Sequence, residues 1–434
     1  MPDKSGNGSR ITLGTISPNT SNVEGGGGRT SVTPQPTYFR KGFGLKSEVQ
    51  PELDSDYTGR LVDLLRDRDY SLTAGGLTIR LAREFGFCYG VERAVDYAYQ
   101  TRKKFPDRTI YLAGEIIHNP HVNSNLEAMG IRFLLPVDGK IDFSGVRPDD
   151  VVILPAFGVT ITDFETLRGI GCVVVDTTCG SVLNVWKRVE SYARDGFTSL
   201  IHGKHYHEET RATASQTEKY PGGRYFIVRN MDEARIVCDF IEGKLSGKEL
   251  LQRFRLTVSP DFDPDRDLRR IGVANQTTML ARESLAIGAE IGKSVARAQG
   301  DEYAAANFRT FDTICSATQE RQDAVVDLLK EPLDAMVVIG GYNSSNTLSL
   351  AALCSETVTT YHVEDAGAID PARATIRHRP MGGGAEIESA DWLPKGEAIR
   401  VGVTAGASTP NNKIGEAVGR IFATRGIDPV PSGR

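Results

Sequence analysis

Through most of the chain, short apolar runs alternate with stretches whose apolar residues recur every three to four positions. The runs at 172–175 and, more weakly, 308–311 have the character of strands. The stretches at 91–99, 185–192 and 324–329 have helical spacing. Such alternation predicts an α/β protein with mostly parallel sheets.

The pattern occurs three times. In each repeat a cysteine, Cys88, Cys179 or Cys315, stands between a strand-like run and a helical stretch. A polar loop follows the next predicted strand, 30, 28 and 28 residues after the cysteine, at His118, His207 and Asn343. A second small or polar loop follows a later strand in each repeat, at residues 156–160, 275–278 and 405–409. Because ligands of parallel sheets bind beyond the carboxyl ends of strands, we expect three similar α/β domains in a pseudo-threefold (trefoil) arrangement around a central site.

These repeats also suggest domain boundaries. We expect a disordered N-terminal tail, since its residues are rich in Gly, Ser, Thr and Pro and cannot bury much apolar surface. An organelle transit peptide is the alternative for this tail. The predicted segments are a tail at 1–37, an N-terminal extension at 38–80, domains at 81–176, 177–311 (with an insert at about 242–270) and 312–416, and a C-terminal tail at 417–434.

Composition narrows the functional classes. The 434 residues carry a net charge of −5, which does not suggest a nucleic-acid partner. Because no apolar run approaches the length of a membrane span, we expect a soluble, cytoplasmic protein without a membrane partner, or a plastid protein if the tail is a transit peptide. The six cysteines include no Cys-x-x-Cys pair, so a disulfide scaffold is not indicated.

The three junction cysteines have several possible roles. They could bind a metal or cluster, pack in cores or include a catalytic thiol. Zinc fits less well, because the paired cysteine hooks typical of its sites are missing. An iron–sulfur cluster bound by three cysteines would leave one iron open to substrate, an arrangement that electron transfer alone does not require. For Cys172, Cys238 and Cys354, which lie in apolar or amphipathic stretches, core packing is the simpler interpretation.

Two polar motifs suggest further chemistry. Glu209, which follows His207, is a candidate general acid, although a glutamate in a first helical turn is also an ordinary partner of the helix dipole. The polar residues 343–346 before a helix would by default cap it, but helix N-termini with Ser and Asn donors also bind anions. With His118, His207 and Ser408 they would make a phosphate pocket of mostly neutral donors.

Eight short motifs surround the cysteines and the polar loops. In chain order they are Gly86-Phe87-Cys88-Tyr89-Gly90-Val91, Glu115-Ile116-Ile117-His118-Asn119-Pro120, Asp176-Thr177-Thr178-Cys179, His207-Glu208-Glu209-Thr210, Asn275-Gln276-Thr277-Thr278, Asp312-Thr313-Ile314-Cys315, Asn343-Ser344-Ser345-Asn346 and Val403-Thr404-Ala405-Gly406-Ala407-Ser408. Together they resemble 4-hydroxy-3-methylbut-2-enyl diphosphate reductase, the IspH/LytB family, over roughly residues 38–416, and the leading segment and the insert resemble its long plant and cyanobacterial form.

The resemblance implies a trefoil around one [4Fe–4S] cluster held by Cys88, Cys179 and Cys315. It implies the last step of the non-mevalonate isoprenoid pathway, in which the allylic hydroxyl is reductively removed to give isopentenyl and dimethylallyl diphosphate. Glu209 would deliver protons and Thr277 would help position the substrate hydroxyl. The implied diphosphate contacts are His118, His207, Ser344, Ser345, Asn346 and Ser408.

The resemblance also leaves some points open. Ferredoxin is the implied electron donor, with flavodoxin as the second choice. Phe157 stands where shorter members carry a histidine, which removes one diphosphate contact, and Gly180 replaces a common proline. Two other functions remain possible on sequence grounds. One is a [4Fe–4S] hydro-lyase that uses the open iron as a Lewis acid, and the other is a cluster-bearing sensor.

Overall fold

A computed structural model describes residues 37–430 of the chain. The predicted tail at 1–37 therefore lies outside the described residues, apart from Thr37. The strands are β1 Tyr38–Phe39, β2 Ser71–Ala74, β3 Leu77–Leu81, β4 Ile110–Leu112, β5 Ile131–Phe133, β6 Val151–Leu154, β7 Val173–Asp176, β8 Thr198–His202, β9 Arg224–Val228, β10 Ile271–Asn275, β11 Phe308–Thr310, β12 Ala335–Ile339, β13 Thr360–Val363, β14 Ile369–Asp370, β15 Thr375–His378, β16 Ile387–Ala390 and β17 Ile399–Ala405. The helices are α1 Lys46–Tyr57, α2 Arg60–Asp67, α3 Tyr89–Lys104, α4 Pro120–Ala128, α5 Ile161–Ile170, α6 Gly180–Arg194, α7 Glu208–Ser215, α8 Met231–Ile241, α9 Gly247–Phe254, α10 Pro264–Asp267, α11 Ala281–Gln299, α12 Asp301–Asn307, α13 Ser316–Leu328, α14 Ser345–Ser355 and α15 Asn411–Ala423.

Three separate sheets confirm the predicted class of α/β lobes with mostly parallel strands. The strand order is β1-β7-β6-β4-β5 in the first, β11-β10-β8-β9 in the second and β13-β12-β17-β3-β2 in the third. All neighbours in these sheets are parallel except β2 and β3. Their central strands are buried along their whole length, as Val151–Leu154 and Ala335–Ile339 illustrate, because helices cover both faces of a parallel sheet.

The third lobe contains both ends of the described chain. Strand β3 pairs with β17, so that Ile79 lies opposite Val401. Helix α15 buries Ile414 and Val418 in the core of the same lobe. The sheets therefore divide the chain differently from the sequence in two places. Part of the predicted N-terminal extension belongs to the third lobe, and that lobe continues beyond residue 416 through α15 before the last described residues.

The insert of the second lobe is anchored by aromatic side chains. Phe254 at the end of α9 and Phe262 before α10 are buried against Phe226 of β9, with ring centroids 4.9 and 5.6 Å apart respectively. The predicted extra segment at about 242–270 thus contributes to the core of its lobe. The three-stranded antiparallel sheet β14-β15-β16 is a comparable addition to the third lobe.

The chain passes from one lobe to the next at the three cysteines. Cys88 lies between β3 of the third sheet and α3, which packs on the first sheet through Ala94 and Ala98. Cys179 lies between β7 of the first sheet and α6, which packs on the second. Cys315 lies between β11 of the second sheet and α13, which packs on the third. This cyclic connection explains why one cysteine from each repeat faces a common centre.

Within residues 37–430, none of the helices is both long enough and apolar enough to cross a bilayer.

Candidate active site

The three junction cysteines occupy equivalent positions in the three lobes. Each is the N-cap residue of its helix, with an extended backbone conformation, and each is partly exposed. The backbone N–H of each cysteine donates to a carbonyl in one of the second loops, at Ala407 (3.2 Å), Ala156 (2.9 Å) and Thr277 (3.2 Å) for Cys88, Cys179 and Cys315 respectively. A helix N-terminus favours negative charge, so this position suits a thiolate.

The three thiols line one cavity and suit a shared metal cluster. Gly90 keeps the space between them free, since a Cβ atom there would lie 2.6 Å from the Cys179 Sγ and 3.9 Å from the Cys88 Sγ. Burial raises the pKa of the Cys88 thiol and raises that of Cys315 to about 11. Bound iron would offset this cost, because iron binds thiolates directly. Three soft donors that converge on one cavity fit an iron–sulfur cluster with three protein ligands.

The other three cysteines lie elsewhere. Cys172, Cys238 and Cys354 are each buried in a different apolar core. This placement supports the packing role expected for them.

The cavity also has a polar wall, formed by Glu209 and by the histidine, threonine, serine and asparagine side chains beside the thiols. Glu209 is 1% exposed, and its Oε1 accepts the backbone N–H of Thr277 at 2.6 Å. Burial raises the pKa of Glu209 to about 7, against the lowering effect of the Thr277 hydrogen bond. Because the carbonyl of Thr277 also accepts the N–H of Cys315, one backbone residue connects the candidate acid to a candidate iron ligand.

The neighbouring carboxylate has a different environment. Glu208 is 39% exposed and its Oε2 lies 3.5 Å from the His118 Nε2. Desolvation raises the pKa of Glu208, but contact with His118 outweighs it, and the pKa is lowered to about 2. Of the two adjacent glutamates at the start of α7, Glu208 is thus a carboxylate on the outer side of the site. Glu209 is a readily protonated carboxyl on the inner side.

The two histidines of the site also differ in charge. Burial lowers the pKa of His118, but hydrogen bonds with Glu115 and Glu208 raise it to about 9. Its Nδ1 is 2.8 Å from the Glu115 Oε2. Burial lowers the pKa of His207 to about 3, and its Nδ1 accepts the N–H of Glu209 at 3.1 Å. The pair presents one cationic ring and one neutral ring, 5.1 Å apart between centroids.

Ligand atoms of His118, His207 and Glu208 lie within 4.8 Å of one another, close enough to share a metal ion. The His207 Nδ1 is already used by the Glu209 N–H, so only its Nε2 is free for a ligand.

The third lobe supplies hydroxyl and amide groups to the same cavity. Ser344 caps α14, and its Oγ accepts the N–H of Thr347 at 3.3 Å. The Asn346 Oδ1 accepts the N–H of Ala407 at 2.9 Å. The Ser408 Oγ donates to the carbonyl of His118 at 3.3 Å. All eleven residues predicted for the site line this cavity, namely Cys88, His118, Cys179, His207, Glu209, Thr277, Cys315, Ser344, Ser345, Asn346 and Ser408.

Sequence reasoning gave no role to Gln276, which connects two lobes at the site. Its Oε1 accepts from the Thr210 Oγ1 at 3.0 Å and from the Lys204 N–H at 3.1 Å. Its Nε2 donates to the Ser345 Oγ at 3.0 Å. The residue belongs to a recognised motif, but only the fold shows that it touches another lobe.

Phe157 also has a definite position. Its ring stacks on His118, with centroids 4.4 Å and planes 19° apart. The aromatic face thus covers the imidazole ring on one side. At Gly180, a Cβ atom would meet no other atom within 4 Å, so the replacement of a proline by glycine leaves no visible strain.

Comparisons with known proteins point to one enzyme family. A family model described as "LytB protein" matches residues 79–422. The 4-hydroxy-3-methylbut-2-enyl diphosphate reductase of Thermosynechococcus vestitus is 46% identical over 403 residues, which cover 93% of this chain and 98% of that protein. Its counterpart from Gloeobacter violaceus is 47% identical over 395 residues, covering 90% and 93% respectively.

A solved structure shares the fold. The E-1-hydroxy-2-methyl-but-2-enyl-4-diphosphate reductase from Plasmodium falciparum superposes with a TM-score of 0.57 at 20% identity, covering 79% of this chain and 87% of that one. The family model spans most of the chain, and the sequence relatives span nearly all of it. The chain therefore belongs to the LytB family of 4-hydroxy-3-methylbut-2-enyl diphosphate reductases, a family of oxidoreductases.

Proposed function

We propose that the chain reduces (E)-4-hydroxy-3-methylbut-2-enyl diphosphate to isopentenyl and dimethylallyl diphosphate, using one [4Fe–4S] cluster held by Cys88, Cys179 and Cys315. One observation carries the proposal: the three thiols, the buried Glu209 and a set of anion donors line a single cavity. In this reaction the allylic C–O bond breaks, a C–H bond forms and the hydroxyl leaves as water. Two electrons come from an external donor, and two protons are consumed.

The cluster would supply the redox and Lewis-acid chemistry, and one of its irons would have no cysteine ligand. The residues of the chain would hold it and shape its surroundings. The three cysteines come from three different loops, and the backbone N–H of each cysteine donates to a backbone carbonyl. Their positions are therefore set before any ligand binds, which lowers the cost of assembling the site.

Glu209 would protonate the departing hydroxyl. Hydroxide is a poor leaving group unless a positioned acid transfers a proton to it. A carboxyl with a pKa of about 7 is protonated in a large fraction of molecules at neutral pH, whereas an ordinary glutamate is almost entirely ionised. Its hydrogen bond with the Thr277 N–H orients the group beside the loop of Cys315. Thr277 would in turn help to position the substrate hydroxyl.

The diphosphate would bind on the polar wall. His118 brings a positive charge, and its Nε2 lies 3.5 Å from the Glu208 Oε2 at the edge of this wall. His207, Ser344, Ser345, Asn346 and Ser408 add neutral donors. Hydrogen bonds to a charged group contribute about 1.5–3 kcal/mol each, so such a wall can hold the anion without a large basic surface.

An external carrier would supply the electrons, and ferredoxin is our first choice, followed by flavodoxin. For the location we propose the cytoplasm, or a plastid if the residues before 38 are a transit peptide. A fluorescent fusion of the full chain would distinguish these locations.

Anaerobic purification followed by iron and sulfide counting provides the first test. We expect four of each per chain, as a [4Fe–4S] cluster requires. The clustered protein is then mixed with the hydroxylated diphosphate, with and without an artificial reductant, and products are identified by mass. The proposal requires turnover that depends on the reductant.

The same experiment separates the alternatives. A hydro-lyase would convert the substrate without reductant. A sensor would show a full cluster and no turnover with any reductant. Either result would replace the proposed function.

A further inference from the structure

The three helices that begin at the cysteines share a second feature. Each carries an arginine that reaches the loop leading into the next cysteine. Arg93 on α3 contacts the loop before Cys179, Arg188 on α6 contacts the loop before Cys315, and Arg321 on α13 contacts the loop before Cys88. The motifs around the cysteines do not include these arginines.

Arg93 and Arg321 hold backbone carbonyls. The Arg93 Nη2 donates to the carbonyls of Thr177, at 3.1 Å, and Thr178. The Arg321 Nη2 donates to the carbonyl of Gly86 at 2.8 Å and to that of Phe87 at 3.2 Å. These are the residues immediately before Cys179 and Cys88. Hydrogen bonds from an arginine to such carbonyls restrict how far the following thiol can move.

Arg188 makes the third contact with an aromatic ring. Its guanidinium lies 3.9 Å from the ring centroid of Phe311, at the end of the strand that leads to Cys315. Arg188 is exposed, and Phe311 is 41% exposed. A cation–π contact of this kind at an exposed site contributes about 0.5–1 kcal/mol, so we rank it as the weakest of the three.

Arg321 is the most buried of the three. Its side chain is 3% exposed, it forms no ion pair with a carboxylate among residues 37–430, and its Nε has no hydrogen-bond partner there. A buried charge without an anion is costly, even when carbonyl dipoles surround it. Three thiolates around a cluster would provide the missing negative charge. Arg321 holds the loop before Cys88 and lies within two turns of the start of α13, which begins after Cys315.

We infer that Arg93, Arg188 and Arg321 are positioning residues that tie the three cysteine loops together and thereby fix the triangle of thiols around the cluster. Each arginine links two neighbouring cysteines within one lobe, so the three contacts close a ring. Arg321 also places a fixed positive charge beside the centre. This inference rests on the proposed function, since it assumes that the cysteines hold the cluster.

The test compares Arg321→Met, Arg93→Met and Arg188→Met with the wild-type protein, all purified without oxygen. Arg420→Met is the matched control, because Arg420 donates to the carbonyl of Ile369 at 2.9 Å within the third lobe and is not near a cysteine loop. Loss of the visible absorbance in the presence of an iron chelator is followed over time. We expect the loss to be about tenfold or more faster for Arg321→Met and Arg93→Met, since a charged hydrogen bond is lost, and severalfold faster for Arg188→Met.

Two further measurements separate positioning from general destabilisation. Arg321→Met should lower the midpoint potential of the cluster in a titration followed by electron paramagnetic resonance, because removal of a nearby cation disfavours the reduced state. Arg321→Lys should restore the potential but only part of the retention, since lysine keeps the charge without the planar fork. If Arg321→Met does not fold, Arg93→Met and Arg188→Met decide the retention measurement and Arg321→Lys decides the role of the fork.

The outcomes are distinct. Iron loss at the wild-type rate in the arginine variants, or equally fast loss in Arg420→Met, would overturn the inference while leaving the proposed function intact. A wild-type protein without iron would instead refute the proposed function itself.

Discussion

The two walls of the cavity differ in exposure and in the origin of their residues. The thiol wall consists of three partly exposed cysteines, one from each junction between lobes. The polar wall is buried, as the 1% exposure of Glu209 and the 2% exposure of Asn346 show. The thiols are soft donors that suit iron, whereas the polar wall carries titratable and anion-binding groups. Hydrogen bonds and charge interactions are stronger where water is excluded. A buried wall therefore suits proton transfer and anion binding.

The largest effect should come from the thiol wall. We expect Cys315→Ser to lose the cluster and all turnover, because a serine oxygen does not replace the thiolate at iron. Iron counting and visible absorbance provide the measurement. Cys238→Ser is the control, as that cysteine lies in a distant core and its change should leave the iron content intact. A normal cluster in Cys315→Ser would show that the ligand assignment is mistaken.

The next largest effect should come from the polar wall, and it should leave the cluster in place. Glu209→Gln should keep the full cluster but lose turnover by about 10²–10⁴-fold, the usual loss for a general acid. Glu208→Gln is the matched comparison, since the same change one residue earlier removes the outer carboxylate, which pairs with His118 and does not face the inner side of the cavity as Glu209 does. Steady-state rates with an artificial reductant measure both. A Glu209→Gln variant as fast as the wild type would exclude Glu209 as the acid.

The dependence of kcat/KM on pH should reveal the raised pKa of the buried Glu209. The pKa of Glu209 is raised to about 7, so the protonated form that donates the proton predominates below that pH. Above it, kcat/KM should fall by about tenfold per pH unit as the carboxyl ionises. In Glu209→Gln this limb should disappear. Persistence of the same limb in the variant would assign it to another group.

A smaller effect is expected for the diphosphate contacts. Ser344→Ala removes one proposed donor and the cap of α14, so KM should rise by about tenfold with little change in kcat. Ser349→Ala is the control, because Ser349 lies on the same helix and donates to the carbonyl of Thr278. Thermal unfolding of both variants shows how much of the effect is lost capping, which costs about 1 kcal/mol. An unchanged KM would remove Ser344 from the diphosphate site.

The smallest effect should follow from Phe157→His. A second imidazole in the position that stacks on His118 would add a donor near the diphosphate, and we expect KM to fall severalfold. Phe157→Leu tests the loss of the stacked ring alone and should not lower KM. Substrate titration of the two variants separates added hydrogen bonding from lost stacking.

Much of this arrangement could be read from local pattern. The alternation of strands and helices predicted the α/β class, and the repeated position of Cys88, Cys179 and Cys315 before a helix predicted a common centre. These features are local, because a helix N-cap and a strand end depend mainly on neighbouring residues. The spacing from each cysteine to its polar loop also follows from one short structural unit.

Partners distant in the chain could not be read in this way. The alternation in β3 does not show that it pairs with β17 at the other end of the protein. The adjacent Glu208 and Glu209 look alike in sequence, and only packing makes one an exposed carboxylate and the other a buried acid. The sequence by itself determined which residues begin the helices around the centre. The tertiary structure decided which lobes, charges and arginines meet there, because burial and pairing depend on contacts that no local pattern specifies.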